Sequence, residues 1–72
     1  MTVDDAVARA ARQYDDIVRL ELADIEAKAA SWGTTPEEAA AIVELQRQTF
    51  AATRGRMLAH LRAVLETGHA VQ

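Results

Sequence analysis

The sequence predicts an all-α protein folded as an antiparallel helical hairpin, two long helices joined by a tight turn. Three observations carry this reading. Apolar residues recur at steps of three and four along two long stretches. A helix-stopping signal and a helix-starting signal lie side by side at Trp32-Gly33-Thr34-Thr35-Pro36. The β-branched residues are scattered and never form the period-2 runs of a half-buried strand.

Helix 1 is expected over residues 4–31. Its apolar stripe is Val7, Ala11, Tyr14, Val18, Leu22, Ile25, Ala29 and Trp32, a heptad seam with one extra residue between Val18 and Leu22. Ile17 and Leu20 widen it. Asp5 and Arg9, Asp15 and Arg19, and Asp24 and Lys28 are i,i+4 pairs with the acid on the N-terminal side, the better orientation.

The turn is expected over residues 32–35. Gly33 can take the left-handed conformation that closes a helix. Thr35 is a good N-cap, Pro36 a good first helical residue, and Glu38 the capping-box partner three residues after Thr35. A connection this short sets the helices antiparallel and adjacent. Trp32 is expected to close the end of the core against Ala39 or Ala40; left exposed, it would be an interface anchor.

Helix 2 is expected over residues 36–67. Its stripe is Ala39, Val43, Gln46, Phe50, Thr53, Met57, Leu61 and Val64, widened by Ile42, Leu45, Leu58 and Leu65. Gly55 lies inside it at a cost of about 1 kcal/mol relative to Ala, and marks either a bend or a close helix contact. Gly68 is the expected C-cap, with residues 68–72 as a frayed tail.

The chain has 72 residues and forms one domain, residues 1–72. A domain this small is marginal alone and needs a staple. There is no cysteine, which removes disulfides and thiolate metal sites and fits a reducing cytoplasm. The expected staple is therefore a second helical layer. Either two hairpins make a four-helix bundle as a homodimer, or one hairpin packs as a subunit or adaptor on a larger assembly. Phe50, Met57, Leu58, Leu61, Leu65 and Trp32 are the expected interface residues.

The candidate chemistry is sparse. His60 and His69 have no acidic partner at a chelating, core-facing spacing, so no metal or cofactor is expected. The adjacent acids Asp4-Asp5, Asp15-Asp16 and Glu37-Glu38 point in different directions on a helix and share no cleft, so no enzymatic activity is expected. No apolar run reaches the roughly 20 residues of a membrane span, and the acidic N-terminus does not read as a secretory signal. The net charge is −3, but it is polarised: residues 1–44 hold ten acids and four bases, whereas Arg47, Arg54, Arg56 and Arg62 follow with no acid between Leu45 and Leu65. Those four arginines could contact phosphates, making nucleic-acid binding the alternative function. They could equally face an acidic surface, such as the Asp15–Glu26 stretch of helix 1 or of a partner. A non-enzymatic, cytoplasmic protein–protein interaction module is the leading expectation.

The Trp32-Gly33 turn resembles that of the small secreted helical-hairpin proteins with a Trp-x-Gly turn. The spacer between the two residues is missing here, and no function carries over. The expected architecture also resembles the plasmid-encoded RNA-binding hairpin dimers, in shape and without shared residues.

Overall fold

The computed structural model of the protein describes residues 2–71, with side-chain surroundings up to Gly68. The chain forms two helices, α1 (Val3–Ser31) and α2 (Pro36–Val71), packed side by side as an antiparallel hairpin. No strand occurs among the described residues.

The start of α1 is fixed by Thr2 as N-cap. The Asp5 backbone N–H donates to Thr2 Oγ1 at 3.1 Å, and the Thr2 N–H donates to Asp5 Oδ2 at 3.3 Å. Asp4 and Asp5 also meet the positive end of the helix dipole. At the other end, Trp32 is the C-cap, its N–H shared between the carbonyls of Lys28 and Ala29 at 3.1 Å each. Gly33 follows with φ +78°, where any side chain would be strained. The Thr34 hydroxyl folds back and donates to the Ala29 carbonyl at 2.7 Å. The capping box of α2 then closes. Thr35 N–H donates to Glu38 Oε1 at 2.8 Å, and Glu38 N–H donates to Thr35 Oγ1 at 3.1 Å.

α2 runs unbroken through Gly55 and Gly68. Gly55 meets no atom within 4 Å of where a side chain would begin, so it marks no close approach, and it does not interrupt the helix. Gly68 does not close the helix as expected: only Gly33 has a positive φ among the described residues, and α2 continues to Val71. Gln72, the end of the expected frayed tail, lies outside the described residues.

The seam between the helices contains most of the expected stripe residues, but it is thin. Ala29 alone is fully buried among the described residues, at the level where the helices converge on the turn. The rest of the seam is half-buried, including Val7, Tyr14, Val18, Leu22 and Ile25 on α1. The hairpin is a rod, 54 × 17 × 16 Å, with a radius of gyration of 16.5 Å. A compact chain of this length would have a radius near 11 Å, from about 2.2·N^0.38.

Candidate functional site

Three side-chain groups distinguish one part of this rod from another: the half-buried residues of α2, the arginines, and the apolar residues left outside.

Phe50, Met57, Leu58, Leu61 and Leu65 are all half-buried. They are brought together along the seam, where their apolar surface is shared with α1. Tyr14 reaches across and donates a long hydrogen bond to the Phe50 carbonyl at 3.4 Å. Gln46 and Thr53 are half-buried on the same stripe. Val64 is not part of the seam; it is 48% exposed. The last turns of α2 present Met57, Leu61 and Leu65 at steps of four, and this drift carries the seam away from Val64.

The arginines separate into different roles. Arg54 makes a two-pronged contact with Asp15 of α1, Nε to Oδ1 at 2.8 Å and the second nitrogen to Oδ2 at 3.1 Å. Arg62 donates to Asp4 Oδ1 at 2.7 Å, with Glu66 also within 3.5 Å. In both cases the carboxylate hydrogen bond, then its charge, pushes the guanidinium pKa further up. Arg47 pairs locally with Glu44 at 2.7 Å. Arg56 is exposed, and no ion pair involves it among the described residues.

These contacts redirect two of the expected i,i+4 pairs. Asp15 is taken by Arg54 across the hairpin, so Arg19 turns to Asp16 at 3.0 Å. Asp5 is held by the cap at Thr2 rather than by Arg9. The Asp24–Lys28 pair forms as expected at 2.8 Å, and the Asp24 hydrogen bond raises the Lys28 pKa.

Among the described residues, five large apolar side chains stay exposed: Leu20 at 69%, Trp32 at 67%, Leu45 at 62%, Ile17 at 57% and Val64. Trp32 does not close the core. The helix ends at Ser31, so a stripe position counted one turn beyond Ala29 no longer points inward, and Thr34 folds over that end instead.

Their placement is not random. With about 100° between successive residues, Ile17 lies about 100° and Leu20 about 160° round α1 from the seam, in one sense of rotation. Asp15 lies about 60° round in the other sense. From the neighbouring seam residues of α2, Leu45 is displaced by about 120° and Val64 by about 80°, in the same sense as Ile17. Both helices are right-handed and they run antiparallel, so one sense of rotation leads to one side of the hairpin in both. The hairpin therefore has two unlike sides. One carries the Arg54–Asp15 and Arg62–Asp4 pairs. The other carries Ile17, Leu20, Leu45 and Val64. Leu20 and Leu45 are level with each other, since Tyr14 with Phe50 and Asp4 with Arg62 fix the register.

A single sequence signal could have found this second side. α1 carries Ala10, Gln13, Ile17, Leu20, Asp24 and Ala27 at steps of three, four, three, four and three. That is a second helical stripe, weaker than the first because only its centre is strongly apolar.

Among the described residues, no helix is long and apolar enough to cross a membrane. The sequence matches no protein-family model, and no curated protein or solved structure matches it.

Proposed function

We propose that this protein is a non-enzymatic protein–protein interaction module whose hairpin is one half of a self-associated four-helix bundle. The observation that supports it best is the accessible surface. The hairpin exposes 5369 Å². A compact monomer of 7.8 kDa would expose about 4,400 Å², from about 6.3·M^0.73. The excess of about 1,000 Å² is on the scale of the roughly 800 Å² that each partner buries in a standard interface. The near-absence of a buried core points the same way. With Ala29 alone fully buried among the described residues, a single hairpin lacks the apolar burial that usually stabilises a domain of this size.

The arginines support this reading over nucleic-acid binding. Arg47, Arg54 and Arg62 each have a carboxylate partner within the chain. The cross-helix pairs account for the charge polarity seen in the sequence: the basic half of α2 lies along acids of α1. A phosphate backbone would have to displace those carboxylates.

Sedimentation equilibrium across the micromolar range tests the proposal, with circular dichroism run alongside. The expected result is a helical dimer that dissociates on dilution with loss of helix. A protein that stays fully helical and monomeric throughout would refute self-association.

A further inference from the structure

We infer that the occupant of the Ile17–Leu20–Leu45 side is a second copy of this chain, laid face to face and end to end reversed, so that α1 lies antiparallel on α1 and α2 on α2. This rests on the self-association proposed above and names the surface and the orientation.

The inference comes from a symmetry in the residues on that side. Along α1, Ile17 and Leu20 flank a point midway between Val18 and Arg19. Gln13 and Asp24 flank the same point, and so do Ala10 and Ala27. A twofold axis there sets Ile17 against Leu20 of the other copy, Gln13 against Asp24, and Ala10 against Ala27. Large apolar meets large apolar, an amide meets a carboxylate it can donate to, and small meets small. Each residue of the α1 stripe finds a compatible partner, and each pair occurs twice, as an isologous contact requires.

On α2 the matching level is Arg47, about which Glu38 and Arg56 alone form a complementary pair. Leu45 and Thr49, Ile42 and Ala52, and Glu38 and Arg56 are each equidistant from it. The two midpoints are level in the hairpin, because the Tyr14–Phe50 and Asp4–Arg62 contacts fix the register of α1 on α2. One twofold axis therefore serves both helices. The pairing of Glu38 with Arg56 selects the occupant further. Arg56 is the one member of the arginine group with no carboxylate partner among the described residues, and this arrangement brings it one. Glu38 keeps a carboxylate oxygen for it, since Oε1 alone serves the cap. The opposite orientation, turn against turn, crowds Glu21, Asp24 and Glu38 of one copy on those of the other.

The absence of cysteine from the chain makes a clean test. Gln13→Cys and Asp24→Cys are prepared as separate proteins and oxidised alone and as a mixture. In the inferred dimer, the thiol introduced by Gln13→Cys in one copy meets the thiol introduced by Asp24→Cys in the other. Like positions lie about 16 Å apart along the axis, eleven residues at about 1.5 Å each, beyond disulfide reach. The expected result is a disulfide dimer in the mixture and none from either protein alone. Leu20→Arg is the second arm. It should raise the dimer dissociation constant roughly tenfold or more while the helix content at high concentration is retained. A dimer that forms no mixed disulfide and ignores Leu20→Arg overturns the inference and leaves self-association standing. A protein that is monomeric at every concentration overturns both.

Discussion

Replacing Gly55 with alanine should stabilise the hairpin, and replacing Gly33 with alanine should do the reverse. Gly55 sits in the middle of α2, in an unbroken helix, and a methyl group there would meet no atom within 4 Å. It also lies about 130° from the seam on the ion-pair side, away from the apolar side. A glycine at such a place contributes only its excess freedom in the unfolded chain, about 1 kcal/mol relative to alanine. Removing that freedom is worth about 4–8 °C in melting temperature for a domain of this size. Gly33 has just as much room, yet its φ is +78°. An L-residue held in the left-handed region costs about 1–2 kcal/mol, so Gly33→Ala should lower the melting temperature by a similar number of degrees.

Thermal unfolding followed by circular dichroism measures both, at one fixed protein concentration because association would shift the midpoint. Opposite signs at two glycines that are equally open to solvent isolate backbone conformation as the cause. A Gly55→Ala protein that melts lower than the parent would refute the reasoning, since it would require a bend or a close contact at Gly55.

Ala29 provides a packing test. It is the fully buried side chain where the helices approach near the turn, and Ala29→Leu should destabilise by about 1–3 kcal/mol through overpacking, read by urea denaturation. An unchanged midpoint would show that the helices are free to part there. Glu38 provides a pH test. The Thr35 backbone hydrogen bond, then the Thr35 side-chain one, holds its carboxyl below the ordinary 4.5. Its contribution is therefore complete above that value and fades as pH falls through the lower folded value. Glu38→Gln should lose less stability on acidification than the parent; parallel acid limbs would contradict the capping role. Trp32, two-thirds exposed in the single hairpin, should show red-shifted fluorescence open to acrylamide quenching, and Trp32→Ala should leave the helix content intact. Shielded fluorescence in a demonstrably monomeric sample would contradict its placement outside the core.

The parts of the fold that were legible in the sequence are those governed by local chemistry. Gly33, Thr35, Pro36 and Glu38 specify a helix end and a helix start through bonds that span at most a few residues, so the turn could be read directly. The seam of α1 was legible because apolar residues recur at steps of three or four from Val7 to Ala29, and the one extra residue between Val18 and Leu22 does not take them off the face. Other features were not, because they depend on what lies across the gap. Asp15 has Arg19 at the favoured i,i+4 spacing, yet Arg54 offers a planar two-pronged donor from the facing helix and takes the carboxylate. Trp32 continued the stripe by counting, but the count assumes a helix that has already ended. Val64 and Leu65 are neighbours, and which one enters the seam is set by a small drift of α2 against α1 rather than by either residue.

The two sides of the hairpin, taken together, explain why its charges and its exposed leucines are segregated. Arg54–Asp15 and Arg62–Asp4 tie the helices together on one side, where each pair remains partly wet and screened. Such pairs add little stability, but they fix the register of α2 on α1. A fixed register brings Leu20 level with Leu45 and puts the midpoints of both outer stripes at one height. Without it, the two stripes could not answer to a single symmetry axis. The consequence is testable at a distance from the apolar side. Reversing one charge in Asp15→Arg sets it against Arg54, releases the register, and should weaken self-association although neither residue lies on the apolar side. Restoring the pair with Arg54→Asp in the same chain should recover association, and high salt, which screens the same exposed pairs, should weaken the proposed dimer in the same direction as Asp15→Arg. Failure of the double variant to recover would mean that Asp15 acts locally and that the register is held by the turn and the seam alone.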